Sequence, residues 1–448
     1  MILAGPIVAV PVGLWLSRRA GPGVLTGVLA AAAFFVEPPM SAAFVLPYVI
    51  WTGWLALRAV PRLTRRWWER EALVDLGEIY LLVGALWLLG SRTGEEILGF
   101  DRTITALTAA HFHFAGFAAA TVAGVTSRMR PIPAWAAICV GLGPALVGLG
   151  FVISPHVEVV SAVALALGML GLAWGMARAW WPLGLPGFVL VGTMALAVVY
   201  AGQQFTGLYL LTIPTMAQLH GMGNVLGFAL PALILLALRR PEPPALIRLG
   251  APPPFGPEEP GPKGLYERPE DLGLADLPAP IAAYFCDSEA AALEATPTWL
   301  WPALGRLAAR IGHALGNFAL PTERTLLKHE VRRVAPGWVR SRRTHPDGRP
   351  MLVLNYVLDR GRMRAIGQVA PGLSLDFFFR SSWDGERLEV FSEYTHLRVG
   401  RWLIRLPLAE VLDGRLEDDL FLAEQRIVLA GVELLLLSYR IGPASRLR

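Results

Sequence analysis

The stretch PAWAAICVGLGPALVGLGFVI, residues 133–153, holds no charged side chain in 21 positions. An α-helix rises 1.5 Å per residue, so the segment is about 31 Å long, close to the hydrocarbon thickness of a bilayer. That combination predicts a membrane-spanning helix rather than a core helix of a soluble domain. The same criterion, applied outward along the chain, gives nine candidate spans: 1–16, 22–37, 40–58, 72–90, 103–126, 133–153, 157–177, 184–202 and 214–238. The first two are short. Span 1–16 has no basic residues before its apolar run and is followed by Arg18 and Arg19. A signal peptide has the reverse order, so the segment reads as a retained span.

The composition of the 448 residues agrees: 54% are apolar and 17% charged, against about a quarter charged in a soluble domain, and the mean hydropathy is +0.48. The net charge of +5 is unevenly placed. Residues 1–240 carry 14 Arg, no Lys and 9 acids, whereas residues 241–448 carry 26 basic and 26 acidic residues. The excess positive charge therefore lies in the apolar half, which fits membrane topology and excludes a nucleic-acid-binding surface as its cause. Two cysteines, one in each half, exclude a disulfide framework and a Cys-based zinc site.

Arginine placement sets an expected orientation. With the N-terminus outside, the inner loops and helix ends hold Arg18, Arg19, Arg58, Arg62, Arg65, Arg66, Arg70, Arg128, Arg130, Arg178, Arg239 and Arg240, and the outer ones only Arg92 and Arg102. Positive loops stay inside, so the expectation is a multi-pass protein of the bacterial inner membrane with its C-terminal half in the cytoplasm.

Polar groups within spans cost free energy and point to function. The candidates are Glu78, His111, His113, His220 and Asn224. By helical rise, His111 and His113 lie roughly 12 and 15 Å, and His220 roughly 9–10 Å, below the outer face, with Glu78 roughly 18 Å below it. Gln203, Gln204, Tyr200, His156 and Glu158 lie near the same face. The expectation is one polar cluster open to the outside. Residues two apart on a helix point about 200° apart, so His111 and His113 serve different neighbours, while His220 and Asn224, four apart, share a face. The small residues Ala115, Gly116, Gly221, Gly223 and Gly227 let these helices approach closely.

The stretches AAHFHFAGFAA (109–119) and QLHGMGNVLGF (218–228) resemble the YndJ-like family of bacterial multi-pass membrane proteins. That family has no established activity, so the resemblance implies a membrane location and leaves the mechanism open. His-Phe-His in an apolar helix is also similar to the helix of haem–copper oxidases whose histidines hold two haems from opposite faces. The loop pair of adjacent histidines that would complete a copper site is missing. A simpler haem or metal site formed by His111 or His113 with His220 fits the donor types.

Past residue 240 the composition changes. Residues 241–262 contain nine prolines and read as a semi-rigid linker. The region 279–320 reads as helical; Trp299 and Trp301 with Arg306 and Arg310 suit either core packing, the commoner fate of an apolar stripe, or a helix lying on the inner leaflet. From about 327 the apolar period becomes two. The strands expected are 329–341, 350–358, 362–369, 373–380, 386–399, 401–407 and a pair within 421–441, separated by turns at His345-Pro-Asp-Gly348, Asp359-Arg-Gly361, Asp384-Gly385 and Asp413-Gly414. Leu373, Leu375, Phe377 and Phe379 alternate with Ser374, Asp376, Phe378 and Arg380 and form one apolar face. The region resembles a bacterial β-rich domain of unknown function through Gly337-Trp-Val-Arg340 and the Gly400 to Pro407 stretch, and it carries none of the common catalytic motifs.

The expected fold is thus an α-helical polytopic bundle (1–240), a linker (241–262) and a soluble segment with a mainly antiparallel β domain (263–448). Three functions fit: passage of a small solute or proton through a Glu/His cluster, a haem- or metal-binding redox role, and a membrane anchor for a β domain that binds lipid or a protein partner. The bilayer is the expected partner; nucleic acid is not, and an enzymatic role is the less favoured one.

Overall fold

The computed structural model describes residues 2–243, apart from 20, 22, 68 and 95, and residues 252–447, apart from 254, 260–262, 267–270, 272–276, 288–290, 316–319, 360, 361, 371 and 401. Much of the Pro-rich linker, the turn at Gly361 and Arg401 therefore lie outside the described residues. The chain divides into two units, residues 1–247 and 248–448.

Among the described residues of the first unit, seven helices are long and apolar enough to cross a membrane: α3 (Met40–Arg66), α4 (Ala72–Ser91), α5 (Arg102–Met129), α6 (Ala134–Ile153), α7 (Pro155–Ala179), α8 (Trp181–Gln203) and α9 (Ile213–Arg239). The first two of the nine expected spans are instead the short helices α1 (Gly5–Leu16) and α2 (Gly23–Phe35). At 1.5 Å per residue each reaches only about 20 Å, too little to cross alone. Helix α1 starts beside the middle of α5: a Cβ on Gly5 would lie 3.3 Å from the His113 ring, and one on Gly13 would lie 2.8 Å from the Phe117 ring. Helix α2 crosses α1 so closely that a Cβ on Gly27 would sit 2.3 Å from the Pro6 carbonyl oxygen. Ala9, Val10 and Leu14 are consequently buried with Leu81, Ala118 and Val122 in the core.

Short loops make the long helices alternate in direction. Arg58, Arg62, Arg65, Arg66, Arg70, Arg128, Arg130, Arg178, Arg239 and Arg240 all fall at or next to the same end of the bundle, and Arg92 and Arg102 at the other. One residue, Ser154, separates α6 from α7. Its side chain accepts from Val157 N and Pro155 takes the first helical position, an N-terminal cap of the usual chemistry. Among the described residues, α1 has a short π segment at Gly5–Ala9, and two of the long helices leave the α-helical hydrogen-bond pattern for a wider π pattern, α5 at Phe112–Ala118 and α9 at Ala217–Ala229. Those two long-helix segments are the histidine-bearing stretches, and π segments recur where a helix is reshaped for function.

The second unit is a closed antiparallel barrel. Its strands are β1 (Ala292–Trp299), β2 (Thr325–Ala335), β3 (Trp338–Thr344), β4 (Pro350–Asp359), β5 (Arg362–Ala370), β6 (Leu373–Trp383), β7 (Arg387–Val399), β8 (Trp402–Leu406), β9 (Leu408–Glu417), β10 (Leu420–Leu429) and β11 (Val432–Gly442). Neighbours run in order from β1 to β7, then through β9, β10 and β11, and β11 closes on β1. Ten strands complete the ring; β8 continues β9 past Pro407 and pairs with the far half of β7, Thr395 facing Leu406 and Phe391 facing Val411. Three residues of β7 oppose four of the other strand there, a bulge that bends the wall. Closure removes the free edges an open meander would expose.

Most expected strands are present, with three corrections. The run 329–341 is two strands, because Pro336-Gly337 makes a hairpin with Gly337 at φ +73°. The region 279–320 is helix, strand and helix: α10 (Ala279–Cys286), β1, and α11 (Pro302–Leu315). Leu293 and Ala295 of β1 point into the barrel, an alternation too short to override the helical pattern around it. Asp413-Gly414 is not a turn but part of β9, where the missing Cβ makes room for the Phe421 ring; the chain turns at Asp418 and Asp419 instead. The face of Phe377 and Phe379 points inward as expected, among Leu354, Ala365, Val390, Leu435 and Leu437.

Candidate functional site

The helical unit holds a cavity of about 510 Å³ between α4, α5, α6, α7, α8 and α9. Its walls are mainly apolar, from Phe112, Phe114, Val147, Leu165, Met194 and Phe228, and its polar lining includes His111, Glu158, His220 and Asn224. Few polar groups on an apolar wall between helices is the usual form of a small-molecule site.

Hydrogen bonds fix how each group is presented. His220 Nδ1 lies 2.7 Å from the Thr193 carbonyl oxygen, so that nitrogen carries the proton. Its Nε2 faces the Asn224 amide nitrogen at 3.2 Å. The Thr193 hydroxyl completes the group 2.6 Å from Asn224 Oδ1. His111 Nε2 donates to the Pro144 carbonyl at 3.1 Å. With that proton placed, Nδ1 of the neutral ring is left as an acceptor. Glu158, in the first turn of α7, makes no ion pair with any described residue. The α6–α7 corner sets it there: a Cβ on Gly150 would lie 2.5 Å from Glu158 Cα, so only glycine permits the approach.

The structure brings His111, His220 and Asn224 to one cavity but places His113 and Glu78 elsewhere. His113 turns away from His111, as the spacing required, and stacks on Tyr48. Its Nδ1 donates to the Ala109 carbonyl at 2.7 Å, and its Nε2 accepts from the Tyr48 hydroxyl at 2.9 Å. Glu78 belongs to a buried ion cluster at the Arg-rich end. It contacts Arg19 and lies 2.5 Å from Arg62. Asp75, one helical turn away, meets Arg19 at 2.9 Å, Arg62 at 2.7 Å and Arg66 at 2.7 Å. Beside it Arg128 pairs with Glu71 at 2.5 Å and donates to the Leu16 carbonyl. This cluster ties the end of α1 to α3, α4 and α5. It explains Glu78 without a proton relay, and it corrects the expectation of one Glu/His cluster. Helical rise gave the depth of each residue, but its azimuth came only with the packing.

Haem or metal ligation by the histidines finds no support in these contacts. Both nitrogens of His113 and both of His220 are already engaged. Among the described residues no three His, Cys, Asp or Glu side chains are grouped to hold a metal ion.

Sequence reasoning placed Glu158 near the outer face but not among the site residues, and it missed Thr193. Glu158 had a signal, as the lone charge in a 21-residue apolar run. Thr193 had none, since a threonine in a span bonds its own helix as readily as a partner. Gln203 caps the loop after α8 by accepting from Leu210 N and Leu211 N. The Gln204 side chain lies outside the described residues.

The barrel interior holds a second polar group. Buried Arg343 donates to the Tyr284 hydroxyl at 2.5 Å and the Tyr439 hydroxyl at 3.2 Å. Tyr439 donates in turn to Gln425 at 2.8 Å, and Gln425 contacts Glu410. Next to it, His329 shares a 2.7 Å hydrogen bond with Ser341. Burial, helped by the Arg343 charge, lowers the His329 pKa to about 3, while burial raises that of Glu410. Tyr284 comes from α10, whose Ile281 and Phe285 fill the barrel with apolar contacts. This network satisfies a barrel interior; a separate pocket of about 750 Å³ in the same unit is lined by Tyr266, Arg333, Trp338 and Tyr356.

Comparison with known proteins bears on the helical unit. The family profile described as YndJ-like protein matches residues 1–228, which contain all five candidate side chains. The chain is 30% identical over 209 residues to the uncharacterized membrane protein YndJ of Bacillus subtilis (strain 168). That alignment covers 43% of this chain and 37% of the relative, so the chain matches little more than a third of the relative's length. No solved structure matches.

Proposed function

The chain belongs to the YndJ-like family of membrane proteins, and from that premise we propose that its helical unit binds a small, mostly apolar solute in the cavity between α4 and α9. The observation that carries this reading is the cavity itself, about 510 Å³ with His111, His220, Asn224 and Glu158 on apolar walls. A carboxylate with no cationic partner among the described residues favours a solute bearing an amine or another hydrogen-bond donor, and the His111 acceptor favours the same. In this reading the solute is taken up from the side opposite the Arg-rich end. The Arg bias supports reading that side as outside the cell and the barrel as cytoplasmic. A role for Glu78 in the pathway is not part of the proposal, since Arg19 and Arg62 already hold its carboxylate.

The test is photolabelling of the full chain in proteoliposomes with a benzylamine carrying an alkyl diazirine. Label is expected on Glu158 and on cavity residues of α8 and α9, and it should be lost in Ala197→Trp, which fills the cavity. Label confined to bilayer-facing positions such as Phe188 and Leu226, and unchanged in Ala197→Trp, would overturn the reading.

A further inference from the structure

Helix α11 leaves an apolar face uncovered. Leu300, Trp301, Leu307 and Ile311 are 46%, 60%, 53% and 51% exposed. Leu304, Leu307 and Ile311 recur at intervals of three and four residues, so they line one face of the helix, and Leu300 and Trp301 lie just before its first turn. The helix rests on the barrel by a different contact: a Cβ on Gly305 would lie 2.8 Å from the Trp299 ring, and Trp299 Nε1 donates to the Pro321 carbonyl. The apolar stripe is therefore not what attaches it to the barrel.

Two further observations identify the occupant. The helix sequence PALGRLAARIGHAL contains Arg306 and Arg310, both exposed, and no acidic residue. Leucine, isoleucine and tryptophan on one side and arginine on the other is the pattern of a helix that lies in a lipid–water interface, its apolar side among acyl chains and its cations at the phosphates. The same chain also spans the bilayer, and about 60 residues separate the end of α9 from the start of α11, so a membrane surface is always at high effective concentration. We infer that α11 docks on the surface of the membrane that α3–α9 cross, with a preference for anionic lipid.

The test uses the full chain, made cysteine-free by Cys139→Ala and Cys286→Ala and carrying one nitroxide label at Leu307→Cys or at Arg306→Cys. The protein is reconstituted in vesicles of phosphatidylglycerol with phosphatidylcholine, or of phosphatidylcholine alone. Because both leaflets have the same lipid, the result is independent of the direction of insertion. The label at 307 should be reached by oxygen dissolved in the acyl region and shielded from a water-soluble nickel chelate, and the label at 306 should show the reverse. Removing phosphatidylglycerol should weaken the protection at 307 by roughly tenfold, given two arginines at the phosphates. Leu307→Asp with Ile311→Asp, read from a label at Leu300→Cys, should abolish it while the barrel keeps its hydrogen-exchange protection. Equal access of the nickel chelate to 306 and 307 in anionic vesicles would overturn the inference. So would a label at 307 shielded from both reagents, which would mark a protein partner on this face.

Discussion

Replacing Glu78 separates a structural carboxylate from one that carries protons. In the fold, Asp75 and Glu78 are fully buried and face the guanidinium groups of Arg19, Arg62 and Arg66, three cations against two anions. Glu78→Gln changes little in volume but leaves three cations against one anion. Arg19 and Arg62 then each depend on Asp75 alone. Removing one partner of a buried pair costs about 3–5 kcal/mol, because the remaining charge stays out of water without compensation. The loss should appear in equilibrium unfolding of the full chain in mixed dodecyl maltoside and dodecyl sulfate micelles, followed by tryptophan fluorescence. A double variant distinguishes ion pairing from a packing defect. Arg19→Met with Glu78→Met removes one cation and one anion together, so it should be less destabilised than Glu78→Met alone, a coupling of more than about 1 kcal/mol. A Glu78→Gln protein within about 0.5 kcal/mol of the parent, or strictly additive single effects, would refute the assignment of Glu78 to a structural ion cluster.

Two other outcomes follow from the geometry. Gly150→Ala should destabilise the helical unit by about 1–3 kcal/mol, because the added Cβ meets Glu158 backbone atoms 2.5 and 2.7 Å away that cannot rotate aside; unchanged micellar unfolding would contradict the close α6–α7 corner. In the barrel, His329 takes up its proton only near pH 3, whereas the unfolded chain does so near its ordinary value of 6.5. The unfolded state binds more protons between those values, so barrel stability should fall as pH falls through that window, at up to roughly 1.4 kcal/mol per pH unit. Hydrogen exchange of residues 325–344, corrected for intrinsic rates and compared between pH 7 and 5, should show the loss in the parent and not in His329→Gln. The comparison cancels Glu410, whose raised pKa acts in the opposite sense. The same slope in both proteins would show that another group is responsible.

Much of this architecture was legible in the chain. An uncharged run of 21 residues at 133–153 has few fates other than a span, because its length matches the bilayer and its backbone bonds close within the helix. Alternation in Leu373, Leu375, Phe377 and Phe379 gave strand and inward face together, since side chains of a strand alternate sides whatever its partners are. The 200° between His111 and His113 likewise settled that they could not share a neighbour. Limits appeared wherever a residue's role depended on rotation or on a distant partner. Nothing local told the short helices α1 and α2 apart from thin spans, and their place was decided by Gly5, Gly13 and Gly27 fitting against α5 and against each other. Glu78 and Glu158 are both carboxylates in apolar helices. Which one meets arginines and which one faces a cavity depends on how α4 and α7 are turned in the bundle. Periodicity could show that the β strands form a meander, but closure required β11 to reach β1 across more than 100 residues of chain. Composition and period therefore determined the elements and their apolar faces, which are local properties of backbone geometry and burial. The tertiary structure alone decided which polar groups meet, because that depends on helix azimuth and on packing between segments distant in sequence.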